Sequence, residues 1–336
     1  MCERSSEDSQ LAQLSLFPNA DGVDPVPVDD RVRSLRPALP DCIRLGTSSW
    51  SFPGWTGLVY SAGNGKPATE QMLARRGLSA YARHPLFRTV SLDRTFYAPL
   101  TTEEFAHYAA QVPDDFRFVV KAPAAITDPV VRKAGSGEAA RDNPSFLDAA
   151  AAASAFVQPA VAGLGAKAGP LVFQFPPLGR RMLADIPRLG ARIAAFLTML
   201  PRGPLYAVEV RDPDLVTTAF ATALADSHAV PCLAVHARMP PVEEQAEKFG
   251  VDAATAGPLV VRWNLHAGRA YDDAKADYFP FNRIVEGDLP SRTALARLAR
   301  TAASAGRDVF ITINNKAEGS APLSVEHVAK AITAGE

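Results

Sequence analysis

Eight short apolar runs, each ending at or beside a polar residue, constrain this chain more than any other feature. They are Ile43–Thr47, Thr89–Asp93, Phe116–Lys121, Leu171–Phe175, Leu205–Arg211, Val230–His236, Leu259–Asn264 and Val309–Asn314. Runs this short, rich in β-branched and aromatic residues, read as strands, and helical or loop material separates each from the next. Alternation of strand and amphipathic helix is the pattern of βα units around a parallel sheet. Eight such units predict an α/β fold, a single TIM-type (β/α)8 barrel whose site lies at the C-terminal ends of its strands. With 336 residues, 47% of them hydrophobic, the chain has apolar material enough for that core.

Several helix starts are marked. Thr101 with Glu104 forms a capping-box pattern ahead of Phe105 and Tyr108, Asp212-Pro213 puts proline at a first helical position, and Ser291 precedes Leu295, Leu298 and Ala302 at helical spacing. The Ala-rich stretch Ala149–Ala155 predicts a helix packed closely on the sheet. Two connections are long, Ser48 to Lys66 and Leu265 to Pro290, and both follow strand C-termini. Residues 1–40 are rich in Asp, Ser and Pro and carry little apolar area, which predicts a disordered tail and leaves 41–336 as the barrel domain.

The formal net charge of −1 predicts no bulk attraction to nucleic acid or to an anionic membrane, so any affinity for phosphate has to be local. Three cysteines, Cys2, Cys42 and Cys232, fit neither a zinc-ribbon nor a disulfide spacing. With no secretory pattern at the N-terminus and no run of eighteen apolar residues, a cytoplasmic protein without membrane association is the expectation.

Alternate side chains of a strand share a face, so one choice of phase fixes a whole set. With the polar residues inward, the interior receives Gly46 and Ser48; Ser91, Asp93 and Thr95; Val119 and Lys121; Val172 and Gln174; Ala207, Glu209 and Arg211; Ala234 and His236; Val260, Arg262 and Asn264; Thr312 and Asn314. Layering by alternate strands places Lys121, Glu209 and Arg262 together, with Asp93, Gln174, His236 and Asn314 in the adjoining layer. Three cations, Lys121, Arg211 and Arg262, against Asp93 and Glu209 leave one net positive charge and favour an anionic ligand.

Within that set, Glu209 or Asp93 would be the base, although Glu209 also fits a buried ion pair tying strands together. Arg211 and Arg262 suit bidentate capture of phosphate or carboxylate, or a salt bridge at the rim. Lys121 could neutralise a phosphate oxygen or form a Schiff base. Gln174, Asn314 and Asn315 supply donors and acceptors for hydroxyls or a base edge, Ser48 adds a hydroxyl, and Asn315 could instead cap a turn. His236, at a strand end, reads as a catalytic imidazole or a hydrogen-bonded core histidine. With Asp93 and Glu209 it could complete a metal set, but no second histidine or Cys pair reinforces one and three cations compete, so no cofactor is assigned. Trp50 and Tyr97 are candidates to stack on a ligand, with loop packing as the other reading of Trp50. The segment Asn314–Ser320 lies where barrels bind phosphate through backbone amides.

At Leu45-Gly46-Thr47-Ser48-Ser49-Trp50-Ser51-Phe52-Pro53-Gly54-Trp55 the chain resembles the YecE-like proteins, domain of unknown function 72. Matching segments follow in order: Asp93–Tyr97, Phe116–Pro123, Phe173–Pro177, Ala207–Arg211 and Asn314–Pro322. The resemblance implies a TIM-type barrel and the site at its mouth, but no reaction. Two departures stand out. Many relatives end the seventh strand with Arg-x-His-Gly where this chain reads Arg262-Trp263-Asn264-Leu265-His266, and Asp93 stands where relatives often carry Asn.

These readings leave three functions open. The first is a hydrolase or lyase acting on a phosphate-bearing sugar or a nucleic-acid-derived substrate, the second a Schiff-base lyase using Lys121. The third is a non-catalytic ligand-binding or clamp-tethered adaptor. The third rests on Gln13-Leu14-Ser15-Leu16-Phe17, which looks like the short peptide by which bacterial DNA-maintenance proteins dock on the sliding clamp, with Gln13, Leu16 and Phe17 as its anchors. A synthetic peptide spanning Leu11–Asn19 is expected to bind a bacterial sliding clamp in a fluorescence-anisotropy titration; no binding at high micromolar concentration would remove the idea.

Overall fold

All eight predicted strands form, and each pairs in parallel with its neighbours in chain order until the last closes on the first. They are β1 (Ile43–Ser48), β2 (Phe87–Leu92), β3 (Arg117–Lys121), β4 (Ala168–Gln174), β5 (Tyr206–Glu209), β6 (Ala229–Val235), β7 (Leu259–Trp263) and β8 (Val309–Ile313). The structure, a computed structural model, describes residues 23–61, 68–132, 139–251 and 257–335. Asp93, Arg211, His236, Asn264 and Asn314 lie just past the paired ladders, where the backbone turns out into the βα loops. Five of the strands therefore stop short of the polar residues that end the runs, whereas β1, β3 and β4 include Thr47, Lys121 and Gln174.

Two apolar regions separate cleanly. The outer faces of the strands join the surrounding helices in one large core that includes Val90, Leu92, Phe118, Val120, Leu171, Phe173, Val208, Leu233 and Ile311. Inside the barrel a second cluster consists of Val119, Val172, Ala207, Cys232, Val260 and Phe310. Those six residues belong to the predicted inward phase, and they plug the barrel below the polar residues that follow two positions later on five of the six strands; on β6 that position is Ala234. Cross-strand register agrees, because Gly46, Thr312, Arg262 and Ala234 are successive partners around the wall.

The helices form with shifted boundaries. The capping box at Thr101 and Glu104 opens helix Thr102–Ala109. Pro213 instead begins a single 3-10 turn, Pro213–Leu215, and the helix starts at Thr218 with the Thr217 hydroxyl accepting from the Phe220 amide. The helix assigned to Ser291 begins earlier, at Leu289, because Asp288 caps it. Ala149–Ala152 is helical, but a π-turn over Ala153–Val157 follows before Gln158–Leu164. Pro159 has no N–H to give a carbonyl one turn back, and a wider turn relieves that crowding.

The tail boundary at residue 40 needs correction. Residues 23–40 are built into the domain: Val23 and Leu39 are buried, the Val26 amide donates to the Val59 carbonyl (3.0 Å), and the Ser61 amide donates to the Asp24 carbonyl (2.9 Å). Two short helices, Asp30–Arg33 and Leu35–Ala38, lead into β1. Several prolines lower the entropy lost on ordering, so a few anchors suffice. The clamp-like peptide at Gln13–Phe17, and its anchors Gln13, Leu16 and Phe17, lie outside the described residues.

Gly46 permits the closure of β1 on β2. A Cβ there would stand 1.8 Å from the Thr89 carbonyl oxygen, a backbone atom of the adjacent strand, where the β1–β2 register shifts. No side-chain rotation relieves that overlap. Gly46→Ala is therefore expected to cost about 3 kcal/mol or more, at or beyond the upper end for overpacking, read as a lower midpoint in urea.

Candidate functional site

The interior polar residues converge on one guanidinium. Arg262, on β7 and almost fully buried, donates through Nη1 to Glu209 Oε2 on β5 (2.7 Å) and to Gln174 Oε1 on β4 (3.0 Å). Its Nη2 donates to Asp93 Oδ1, just after β2 (2.7 Å). One side chain thus ties together four strands from both expected layers. Glu209 Oε1 pairs with Arg211 Nη2 and accepts from Asn264 Nδ2 (3.2 Å). Burial works to raise the Glu209 pKa, but Arg211 and Arg262 outweigh it and hold the carboxyl below its ordinary value.

This geometry redistributes the predicted roles. Glu209 is wholly buried and both its oxygens are committed, so it is a positioning residue rather than an accessible base. Arg262, with both terminal nitrogens engaged, is an interior hub and not a ligand clamp. Arg211 differs, since its Nη1 is buried without a partner among the described residues. Asp93 is the carboxylate that reaches solvent: its side chain is 31% exposed, Oδ1 accepts from Ser91 Oγ (2.8 Å) and from Arg262, and Oδ2 has no protein partner among the described residues.

Two lysines flank Asp93. The Nζ of Lys121, at the end of β3, makes no hydrogen bond or ion pair among the described residues; it lies 3.6 Å from the centroid of the Phe96 ring. Burial is the main cause that lowers its pKa to about 8, opposed by Asp93 and assisted by Arg262. Lys316, on the turn after β8, sets its Nζ 4.5 Å from the Tyr271 ring centroid. Its pKa is likewise lowered to about 8, chiefly by burial, with Asp93 acting in the opposite direction. Counting Lys316, four cations face two carboxylates, and the mouth carries two net positive charges at neutral pH.

His236 is neutral near pH 7, since burial, and then Arg211, depress its pKa to about 4. The Arg238 amide donates to its Nδ1 (3.1 Å), which places the ring proton on Nε2. The metal set of Asp93, Glu209 and His236 is not assembled, because the Arg262 guanidinium sits between the two carboxylates. Among the described residues no His, Cys, Asp and Glu cluster has metal-binding geometry.

Other predicted contacts fall into two groups. Gln174 and Asn314 are at the mouth, although Gln174 Oε1 is taken by Arg262 and Asn314 Oδ1 accepts from the Lys316 amide (3.0 Å). Tyr97 is 87% exposed at the rim. Ser48 points inward, but its hydroxyl is buried and unpartnered among the described residues. Trp50 does not face a ligand: its indole donates to the Leu73 carbonyl (3.0 Å) and packs edge-on against Tyr108. Asn315 is structural, its Oδ1 accepting from Trp55 Nε1 (3.1 Å) and from the Ala321 amide (2.9 Å). The expected backbone anion site at Asn314–Ser320 is spent internally, with the Lys316, Ala317 and Gly319 amides all donating to Asn314 or Asn315. Lys316 and Phe96 sit on 3-10 turns and Tyr271 opens the helix Tyr271–Tyr278, so strand alternation assigns none of them a face.

Because Glu209 has a folded-state pKa below the ordinary 4.5, its stabilisation is complete above that value and is lost as pH falls through the folded one. Glu209→Gln leaves two buried guanidiniums short of a counter-charge and is expected to cost about 3 kcal/mol or more at pH 7. Urea denaturation at pH 7 and pH 4 checks both parts, since the variant should also lose part of the wild-type acid sensitivity.

Known proteins agree with this architecture. Residues 44–336 match the family described as protein of unknown function DUF72. A DUF72 family protein of Thermotoga maritima MSB8 superposes with a TM-score of 0.58 at 16% identity, covering 86% of this chain and 98% of that one. A DUF72 family protein of Enterococcus faecalis V583 superposes with a TM-score of 0.57 at 17% identity, covering 86% and 95%. No curated protein matches the chain. At these identities the structural likeness speaks for the fold alone, while the family match spans nearly all of the barrel: the chain belongs to the DUF72, or YecE-like, family.

Proposed function

We propose that the barrel mouth binds a small molecule bearing a phosphate or carboxylate and turns it over by proton transfer, as a hydrolase or lyase, with Asp93 as the base. The observation that carries this reading is the pair of lysines beside Asp93. Each ammonium rests against an aromatic face and has no carboxylate or carbonyl partner among the described residues. Cation–π contact holds a lysine in place without cancelling its charge. The two ammoniums would then take the anion, with the buried Arg211 adding positive charge behind them.

Asp93 has one oxygen anchored by Arg262 and Ser91 and one available. Such a carboxylate is oriented and accessible, which suits it to accept a proton from water or from a carbon beside the anionic group. Neutral His236, with its proton on Nε2, would donate a hydrogen bond to a developing negative charge. The lowered pKa of Lys121 also supports a second reading, Schiff-base chemistry, because about a tenth of such a lysine is neutral at pH 7. Borohydride trapping with keto-acids followed by mass analysis separates the two, since an adduct on Lys121 belongs only to the second.

Sulfate is a suitable probe because its charge is constant from pH 6 to pH 10. Binding measured calorimetrically at fixed ionic strength should be level below about pH 7 and should weaken as the pH rises through 8, where both lysines lose their protons. Lys121→Met and Lys316→Met should each weaken it about tenfold, equivalent to ~1.4 kcal/mol. Against a panel of phosphate monoesters and phosphorylated sugars, Asp93→Asn should abolish any turnover seen in the wild type. Sulfate binding that persists in the double lysine variant, or full turnover by Asp93→Asn, would remove the reading.

A further inference from the structure

Next to the lysines, a cleft of about 700 Å³ opens among the loops that follow β2, β3, β4 and β6. Phe96 belongs to both places. Its ring supports the Lys121 ammonium and also lines the cleft, so the two spaces adjoin. We propose that the cleft is a second subsite of the same ligand, one that takes a flat ring system the size of a nucleobase while the anion sits at the lysines. This rests on the anion-binding reading above and narrows it to nucleotide-like molecules, in which an anion is joined to a planar ring through a short polar linker.

Three observations carry the proposal. The first is the character of the walls. Phe96, Tyr97, Pro176, Pro177 and Val130 present apolar faces, while Asp128 and Asn143 beside them are used within the protein. Asp128 Oδ2 accepts from Arg132 Nε (2.7 Å), and Asn143 Nδ2 donates to the carbonyls of Ala125 (2.8 Å) and Asp128 (2.7 Å). A sugar ring would need unspent donors and acceptors all round its edge; a planar ring needs faces to stack on. The second is Tyr97, whose ring is 87% exposed although its edge-on neighbour Phe96 is partly covered. A large aromatic side chain left uncovered at the junction of an anion site and a cleft is a ready stacking platform. The third is Arg238, whose guanidinium has no partner among the described residues and stands on the cleft wall. It can stack on a ring or donate to the carbonyl edge of a base. The volume lies within the range of pockets that enclose ligands of this size.

The test compares ligands that share the anion and differ in the ring. Calorimetric titration of the full chain with AMP, GMP, CMP, UMP and ribose 5-phosphate is expected to show at least one nucleotide binding tenfold or more tightly than ribose 5-phosphate. Ala125→Trp, which fills the cleft from an exposed wall position, should bring that nucleotide down to the ribose 5-phosphate level and leave ribose 5-phosphate within twofold. Tyr97→Ala should reduce the preference in the same direction. Equal affinities in the wild type, or a preference that survives both variants, would overturn the ring subsite while leaving the anion site intact. If no ligand in the set binds in a manner that depends on Lys121 and Lys316, the anion-binding reading falls as well.

Discussion

The polar interior of this barrel depends on the burial of the Arg262 guanidinium. Moving such a charge out of water costs several kcal/mol unless its surroundings replace the lost hydration. Here Glu209, Gln174 and Asp93 do so from three other strands. Each partner is fixed by the same contact that engages a terminal nitrogen of the arginine, whose Nε stays buried without a partner among the described residues, which explains why three side chains from distant parts of the sequence share one geometry. Arg211 completes the arrangement by engaging the remaining oxygen of Glu209. A buried carboxylate between two guanidiniums stays ionised, and its charge orients rather than reacts.

Depth decides which carboxylate can act. Glu209 lies within β5, two residues above Ala207 of the apolar plug, whereas Asp93 lies one residue past the end of β2. That difference separates a sealed carboxylate from one open to the mouth. The plug of Val119, Val172, Ala207, Cys232, Val260 and Phe310 also matters electrically, because a dry floor screens the charges above it poorly. The same lack of water lowers the pKa values of Lys121 and Lys316 to about 8.

Much of this was legible in the sequence for a simple reason. In a closed barrel the period of two has one sensible phase, so alternation alone assigns Asp93, Lys121, Gln174, Glu209 and Arg262 to one interior. What alternation could not supply was height along the barrel axis, which separates Glu209 from Asp93. Nor could it reach Lys316, Phe96 or Tyr271, since a 3-10 turn or a helix start has no two-residue repeat to extrapolate. Trp50 misled because an aromatic residue after a strand C-terminus fits a binding loop as well as it fits a wedge against the helix Glu70–Arg76. Composition misjudged residues 23–40 for a related reason: a few anchors, Val23 and Leu39 among them, hold a proline-rich segment whose average hydrophobicity is low.

The aromatic residues at the mouth explain how a barrel stabilised by ion pairs still presents a positive charge. Had Lys121 and Lys316 been paired with carboxylates, the interior would be neutral and an incoming anion would have to displace a protein group. Phe96 and Tyr271 support the ammoniums with ring faces instead, leaving their hydrogen-bonding capacity unspent. Burial and the neighbouring Tyr97 hydroxyl both raise the Tyr271 phenol pKa, which keeps that ring neutral and the local charge positive. Arg262 and its carboxylates therefore supply rigidity at little net charge, and the lysine–aromatic pairs supply charge at little cost in specificity. Lys121 closes β3 and Lys316 sits on the turn after β8, so both ammoniums stand at the rim where strands give way to loops.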